Sequence, residues 1–326
     1  MAVLAGTVLT TAAIGNREEL DNIVSMITPT DTPIYSMAGK EKLSSKHPEW
    51  EIESLRSPAE NAQLEGGEFD FETQVAPTRL GGRTQIFRDS WIYSGTQQAV
   101  DNAGNQEKAA KAKMKAGINV RKDIELAIVT NTASVNTDPR FMGGLPSWLT
   151  TNVSRNSGSN GGFSSGDTVA ETTGTLRTFT KALLDTVMQS CYTNGGNVSD
   201  LVVSPYVKSV FVTFMSDANV AAFRYAASTS GKNTIVGDAD IYEGPFGKVT
   251  VKANRVMGGA AATARRAYLL DPDLVKWGSL RPIQEAETSK TGDSEKGVIL
   301  GEGCLKVMNE AGLGVVADIF GLTAST

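Results

Sequence analysis

The sequence predicts an α+β fold in which helices and strands are segregated along the chain, with no regular βαβ alternation. Three observations carry this. Residues 49–53 and 69–75 alternate charged or polar with apolar side chains at period two, the pattern of strands with one apolar face. Residues 97–131 are rich in Ala, Lys and Glu and place apolar residues at helical spacing. After Ala267, short apolar runs follow one another, separated by turn formers.

A chain of 326 residues has room for about two domains. With 40% apolar and 21% charged residues it has the composition of an ordinary globular protein. The net charge of -5 argues against a surface that clamps nucleic acid all round and leaves room for a local basic patch. Cys191 and Cys304 stand far apart in no metal-like spacing and are expected as reduced thiols; a bond between subunits is the lesser alternative. Residues 1–15 are apolar, but no base precedes Arg17 and Gly6, Thr7, Thr10 and Thr11 interrupt them, so they are not read as a secretory signal. No run approaches the length of a membrane span.

Residues 1–48 read as an extended arm interrupted by Pro29, Pro33 and Pro48. A short helix over 17–27 is expected, capped by Asn16 with Glu19 three residues on. Residues 49–76 read as a long hairpin, with Pro58, Gly66 and Gly67 as turn formers. Such a ribbon is marginal alone in water, so its face with Trp50, Phe69 and Phe71 needs a cover from its own domain or from another subunit. Eight acids (Glu49, Glu51, Glu53, Glu60, Glu65, Glu68, Asp70 and Glu72) face one base, Arg56, and repel one another unless a basic surface receives them.

In the helical stretch, Val120, Ile124, Ala127 and Ile128 form the apolar stripe, and Gly104 and Gly117 are candidate breaks. Lys108, Lys111, Lys115 and Lys122 share one face, as a solvated surface or as a stripe turned toward phosphate or the acidic hairpin. Residues 176–192 read as an amphipathic helix ended by Asn194-Gly195-Gly196. A strand at 201–204, a helix at 206–215 after Pro205, and a hairpin at 241–252 around Gly244-Pro245-Phe246-Gly247 follow. The closing strands are expected at 268–270, 298–300, 305–308 and 315–319, with 288–296 as a loop tip.

Motifs that imitate catalytic sites lack their context. Gly162-Phe163-Ser164-Ser165-Gly166 matches a nucleophile elbow, but its flanks are Gly- and Ser-rich and the one histidine, His47, lies upstream. Gly312-Leu313-Gly314-Val315-Val316-Ala317 imitates a dinucleotide fingerprint with only nine residues after it. One histidine excludes a multi-histidine metal site, and no phosphate-binding loop occurs. Paired carboxylates for sugar hydrolysis are a spatial matter, so a carbohydrate-active enzyme stays open as an alternative.

Three segments together resemble the major capsid proteins of tailed phages, which share the HK97-type fold. The first runs from Thr32-Pro33-Ile34-Tyr35 through His47-Pro48-Glu49-Trp50 to Asn61-Ala62-Gln63-Leu64-Glu65-Gly66. The second is Ser94-Gly95-Thr96-Gln97, leading into the long helix. The third runs from Phe246-Gly247-Lys248-Val249 through Asn254-Arg255, Tyr268-Leu269-Leu270-Asp271 and Leu280-Arg281-Pro282 to Lys290-Thr291-Gly292-Asp293 and Asn309-Glu310-Ala311. Their order spans nearly the whole chain. The resemblance implies an N-arm (1–48), an extended E-loop hairpin (49–85), a peripheral domain with a long spine helix (86–136 and 266–326) and an inserted axial domain (137–265).

It further implies a non-enzymatic subunit that forms hexamers and pentamers of an icosahedral virion shell around double-stranded DNA, assembled in the host cytoplasm, with no cofactor, metal, catalytic residue or membrane. Trp50, Arg56, Glu60, Glu65, Glu68, Phe69, Asp70 and Phe71 would meet a neighbouring subunit, with Arg79, Arg83 and Arg88 or the lysine stripe as receiving bases. Lys290, Asp293, Glu295 and Lys296 would approach a local three-fold contact, and Lys108, Lys111 and Lys115 would face packaged DNA. Some members of the fold crosslink an E-loop lysine to an asparagine; no lysine lies between Lys46 and Lys108 here, so a non-covalent shell is expected. No long scaffolding segment is visible, so a separate scaffolding protein is expected beside a portal and a decoration protein. An encapsulin-like compartment shell is the alternative within the same fold.

Overall fold

The computed structural model describes residues 30–68, 71, 75–100, 108–212, 214, 240–286, 288–289 and 292–320. The helix expected at 17–27 therefore lies outside the described residues, as do Phe69, Asp70, Lys290 and the end of the helix expected at 206–215. In chain order come α1 (Pro33–Met37), β1 (Gly39–Lys42), β2 (Glu49–Ile52), β3 (Thr78–Gly81), β4 (Gln85–Ser94), α2 (Gly95–Ala99), α3 (Lys108–Val129) and α4 (Leu145–Trp148). They are followed by β5 (Val153–Ser154), β6 (Gly162–Ser164), β7 (Asp167–Val169), α5 (Lys181–Thr193), β8 (Asp200–Val203), α6 (Pro205–Val212), β9 (Ile241–Gly244) and β10 (Gly247–Ala253). The chain closes with α7 (Ala261–Ala264), β11 (Ala267–Leu270), β12 (Val275–Ala286), β13 (Ser294–Val307) and β14 (Gly314–Val316).

Two sheets organise the described residues: a four-stranded one in the order β1-β12-β13-β4, and a six-stranded one in the order β5-β14-β11-β8-β10-β9. β13 is the axis of the first, antiparallel to β12 on one side and to β4 on the other. The sequence suggests two short strands here, 298–300 and 305–308, with Gly301 and Gly303 between them. Those glycines are instead seats for neighbouring side chains. A Cβ on Gly303 would fall 2.6 Å from the Trp277 ring and one on Gly301 2.9 Å from Ile283, while Gly297 seats Trp91 in the same way. Bare backbone lets the rings lie flat on the strand, so the strand continues through them.

α3 buries Ala112, Ala116, Val120, Ile124 and Ile128, an every-fourth-residue stripe that packs on β4 and β13. Gly117 sits inside the helix without breaking it. The interruption comes at Val100, whose extended backbone (ψ 132°) ends α2, itself capped by the Ser94 hydroxyl accepting from Gln97 N. α5 starts later than the sequence suggested, because Arg177 is taken up in a bridge to Ile319. The closing strand ends early at Val316, two residues before Asp318, whose φ of 57° turns the chain.

The domain boundary expected at 265/266 runs through the six-stranded sheet: β11 lies between β14 and β8. Residues 267–270 and 314–316, expected in the peripheral domain, are thus strands of the other sheet. The reason is double burial. Tyr268 and Leu270 point into the core that contains α3, while Ala267 and Leu269 point into the core under α5 and α6. A strand buried on both faces belongs in the middle of a sheet.

Glu125, on α3, is fully buried and joins three segments. It accepts hydrogen bonds from Ile34 N (3.0 Å), Tyr35 N (2.7 Å) and Asn254 Nδ2 (2.6 Å). The first two are orphan amides of the first turn of α1, for which the N-cap Thr32 offers no side-chain bond. Burial pushes the Glu125 carboxyl up, and the three N–H donors pull against that shift. Removing the carboxylate strands buried donors, so Glu125→Ala should cost about 3 kcal/mol or more. Lys113→Ala, which breaks only the exposed pair with Glu285 at 2.5 Å, should cost less than about 1 kcal/mol. Urea midpoints of the two variants check this; equal losses would contradict the role given to Glu125.

Candidate inter-subunit surface

The hairpin expected at 49–76 is shorter at its base and open beyond it. β2 pairs antiparallel with β3 in the register Glu49↔Gly81, Trp50↔Leu80, Glu51↔Arg79 and Ile52↔Thr78. The strand that pairs with β2 is 78–81; of the strand expected at 69–75, residues 69, 70 and 72–74 lie outside the described residues. Phe71 is 96% and Val75 83% exposed, with no strand around them among the described residues.

The root is fixed from several directions by its own chain. Trp50, expected at a subunit interface, is instead buried: its Nε1 donates to Val307 O at 3.2 Å and its ring lies 5.6 Å from that of Trp148, which stacks on Phe163. Lys306 Nζ sits 5.3 Å from the Trp50 ring centroid and is held by both oxygens of Glu41 on β1, at 3.0 and 2.9 Å. Arg83, expected as a base for a neighbour's acids, is committed to Asp167 on β7, Nε to Oδ1 at 2.8 Å. Burial pushes the Asp167 carboxyl up, and hydrogen bonds from Arg83 and Ser134 with the Arg83 charge outweigh it, holding it below its ordinary range. Arg79 stands 3.6 Å from Glu49, both exposed, and Arg88 is exposed on β4.

Sequence reasoning missed the second anchor, Glu302. This buried carboxylate on β13 accepts from Thr84 Oγ1 (2.8 Å), Arg140 Nη2 (3.0 Å) and Arg281 Nε (2.9 Å). The available signal was a lone acid between two glycines inside an apolar run, which asks for partners. The nucleophile-elbow imitation is equally structural: β6 turns through Ser165 (φ 54°) and Gly166 (φ 89°) directly into β7, a strand where an elbow needs a helix.

Beyond the root the described residues are uncovered. Leu55 is 98% and Leu64 84% exposed, alongside the exposed acids Glu51, Glu53, Glu60, Glu65 and Glu68 and the base Arg56. Gly67 N donates to Leu64 O at 3.1 Å and closes a turn there. On the face of the four-stranded sheet away from α3, β4 presents Ile86 (46% exposed), Arg88 and Ile92 (64%), with Val298 and Leu300 of β13 paired across from Ser90 and Arg88. The loop before β13 is anchored on α2: Asp293 O accepts from Gly95 N at 3.1 Å and Glu295 from Gln98 at 2.5 Å. Lys296 O accepts from Thr288 Oγ1. Of the lysine stripe, Lys115 is exposed and Lys108 and Lys111 are half-buried.

An α+β subunit with one long helix laid on long antiparallel strands, and an anchored loop left uncovered, belongs to the HK97-type class of capsid folds. A solved chain from Mycobacterium phage Bobi superposes with TM-score 0.60 at 10% identity, over 92% of this chain and 95% of that one. A chain from the capsid of a native GTA particle gives 0.60 at 12% identity, over 97% and 100%. The family model described as SU10 major capsid protein matches residues 6–320, and the chain belongs to that family. The major capsid protein of Escherichia phage Phieco32 is 28% identical over 121 residues. That stretch is 36% of this chain, and the chain spans about a third of that relative's length (34%).

Both cysteines are buried free thiols within the subunit, and burial pushes each up to about 12. An inter-subunit disulfide therefore has no exposed sulfur to form from. A thiol reagent at pH 8 should leave both unmodified in the native protein and label two per chain after denaturation. Disulfide-linked dimers on a non-reducing gel would contradict this placement.

Proposed function

We propose that this chain is the major subunit of a tailed-phage icosahedral shell, closing as hexamers and pentamers around double-stranded DNA and residing in the virion after assembly in the host cytoplasm. The observation that carries the reading is the anchored loop with an uncovered tip. Leu55, Leu64, Phe71 and Val75 stand more than four-fifths exposed on a segment whose root is held by partly buried pairs. A monomer gains nothing from that exposure; a patch of this kind marks a surface that another molecule covers.

The cover is a second copy. Its candidate receiving surface is the outer face of the four-stranded sheet, where Ile86, Ile92, Val298 and Leu300 offer apolar area and Arg88 a base for the loop's acids. This replaces Arg83 and Trp50, both spent within their own subunit, as contact candidates. Lys115, Lys108 and Lys111 are the proposed DNA-facing bases, with Lys115 the most accessible. A separate scaffolding protein, a portal and a decoration protein are the proposed partners, and the chemistry of the subunit is structural, with no catalysis assigned. The anchored loop around Asp293 and Glu295 is the proposed three-fold contact.

Negative-stain electron microscopy of the recombinant chain, with and without a co-expressed scaffold, tests the reading. Closed shells or uniform pentamers and hexamers are expected. Leu64→Asp and Phe71→Asp, which touch no core residue, should abolish closure while leaving the urea midpoint unchanged. Raised salt should loosen empty shells to the extent that exposed pairs hold the loop, since these are screened beyond about 8 Å. Monomers under every condition, or unaffected shells from both variants, would overturn the proposal.

A further inference from the structure

The two large sheets present four edge strands, β1, β4, β5 and β9, and the edge at β1 is basic and open. β1 pairs only with β12, in parallel, and all four of its residues are exposed. Just past it, Leu43 N donates to Ser279 O of β12. Backbone groups alternate in direction along a strand, so Glu41 also faces β12, while the N–H and C=O of Lys40 and Lys42 face outward. The other edges suit an acidic partner less well: β4 brings Asp89 beside Asp123, β9 carries Glu243, and β5 is two residues long.

The side chains of Lys40 and Lys42 share one face of β1. Lys40 Nζ lies 3.3 Å from the centroid of the Tyr35 ring and donates to Tyr35 O. Burial pushes its ammonium down to about 8 against the pull of Glu125, and the nearby charge of Arg121 adds to the fall. The Glu125 oxygens are already engaged by Ile34, Tyr35 and Asn254. Among the described residues none of Lys40, Lys42 and Arg121 forms an ion pair, and Glu41, on the opposite face, is committed to Lys306. The edge thus carries positive charge without a counter-charge of its own.

The matching pattern lies in the returning limb of the loop. Residues 68–75, Glu68-Phe69-Asp70-Phe71-Glu72-Thr73-Gln74-Val75, place an acid at every second position from 68 to 72. Glu49, Glu51 and Glu53 share that spacing, but Glu49–Ile52 is already paired with β3. In the single chain Glu68, Phe71 and Val75 are exposed and the β1 edge is uncovered, which leaves a second copy to bring them together. We infer that β1 is a docking edge to which residues 68–75 of a second copy add as a strand. The outward backbone groups of Lys40 and Lys42 supply the ladder, and the acids at 68, 70 and 72 meet the two lysines and Arg121 on one face. Phe69 and Phe71 then turn to the opposite face, where Glu41 holds Lys306. The inference rests on the docking of the loop on a second copy proposed above, and it names the edge that receives the returning limb.

Carbodiimide, which condenses a carboxylate and an amine in direct contact into an amide, tests this on shells assembled from equal amounts of isotopically light and heavy full-length subunits. Mass spectrometry should find Lys40 or Lys42 joined to Glu68, Asp70 or Glu72, with light peptides linked to heavy ones, and free subunits should give no such product. Lys40→Glu with Lys42→Glu should lower the yield of closed shells by about tenfold or more, since like charges across a paired edge repel. Adding Glu68→Lys, Asp70→Lys and Glu72→Lys should restore much of that yield, which separates a lost contact from a misfolded subunit. Shells without these crosslinks, crosslinks confined to one chain, charge-reversed shells at the wild-type yield, or no rescue by the swap would each overturn the strand addition and leave the shell reading standing. A wild-type chain that forms no shell would overturn both.

Discussion

The buried carboxylate of Glu125 decides where the amino-terminal segment can go, and the loop root follows from that. A carboxylate with no access to water must have its lone pairs met by protein donors. Here those donors come from 91 residues upstream, at Ile34, and 129 residues downstream, at Asn254. With α1 docked on α3, the chain enters the edge of the four-stranded sheet as β1, parallel to β12. That register delivers Glu41 to Lys306, and Lys306 in turn lies against Trp50 at the start of the hairpin. Each contact is local, and together they carry the constraint from the centre of α3 to the base of an exposed loop.

The molecule is divided between an over-determined root and an uncovered tip. Arg83–Asp167, the Glu302 cluster and the Trp50–Trp148–Phe163 stack all act within a few residues of β2 and β3. Buried or partly buried ion pairs such as these add little net stability but penalise alternative arrangements, which suits an element that must point in one direction. At the tip, covering a large apolar side chain is worth about 2 kcal/mol, offset in part by the entropy of ordering the segment. In the proposed shell, the exposed side chains Leu55, Leu64, Phe71 and Val75 would gain that stabilisation from a neighbouring copy.

Much of the frame was legible in the sequence. The Val120–Ile124–Ile128 stripe gave α3, Asn194-Gly195 gave the end of α5, and Gly244-Pro245-Phe246-Gly247 gave the β9–β10 hairpin almost to the residue. The failures have physical causes. β12 contains Gly278 and Pro282, which argue against a strand; the sheet tolerates them through shifts of register between Ser279 and Gln284. The stretch around Gly301 and Gly303 did not read as strand because the side chains those glycines seat, Ile283 and Trp277, lie more than fifteen residues away in sequence. The fate of Trp50 and Arg83 was hidden for the same reason: an apolar face or a charge shows that a partner is needed, and only tertiary structure shows that Val307 and Asp167 already supply it. The family resemblance located the loop, the helix and the return strands, and the packing then corrected which residues remain available for contact.

Hydrogen exchange, compared between free subunits and assembled shells, tests most directly the claim that a locked root carries a loop completed by a neighbour. Amides of residues 34–36 and 112–129 should exchange slowly in both states. Those of residues 53–68 should exchange freely in the subunit and at least about tenfold more slowly in the shell. Equal exchange of 53–68 in the two states, or protection already present in the free subunit, would contradict the account.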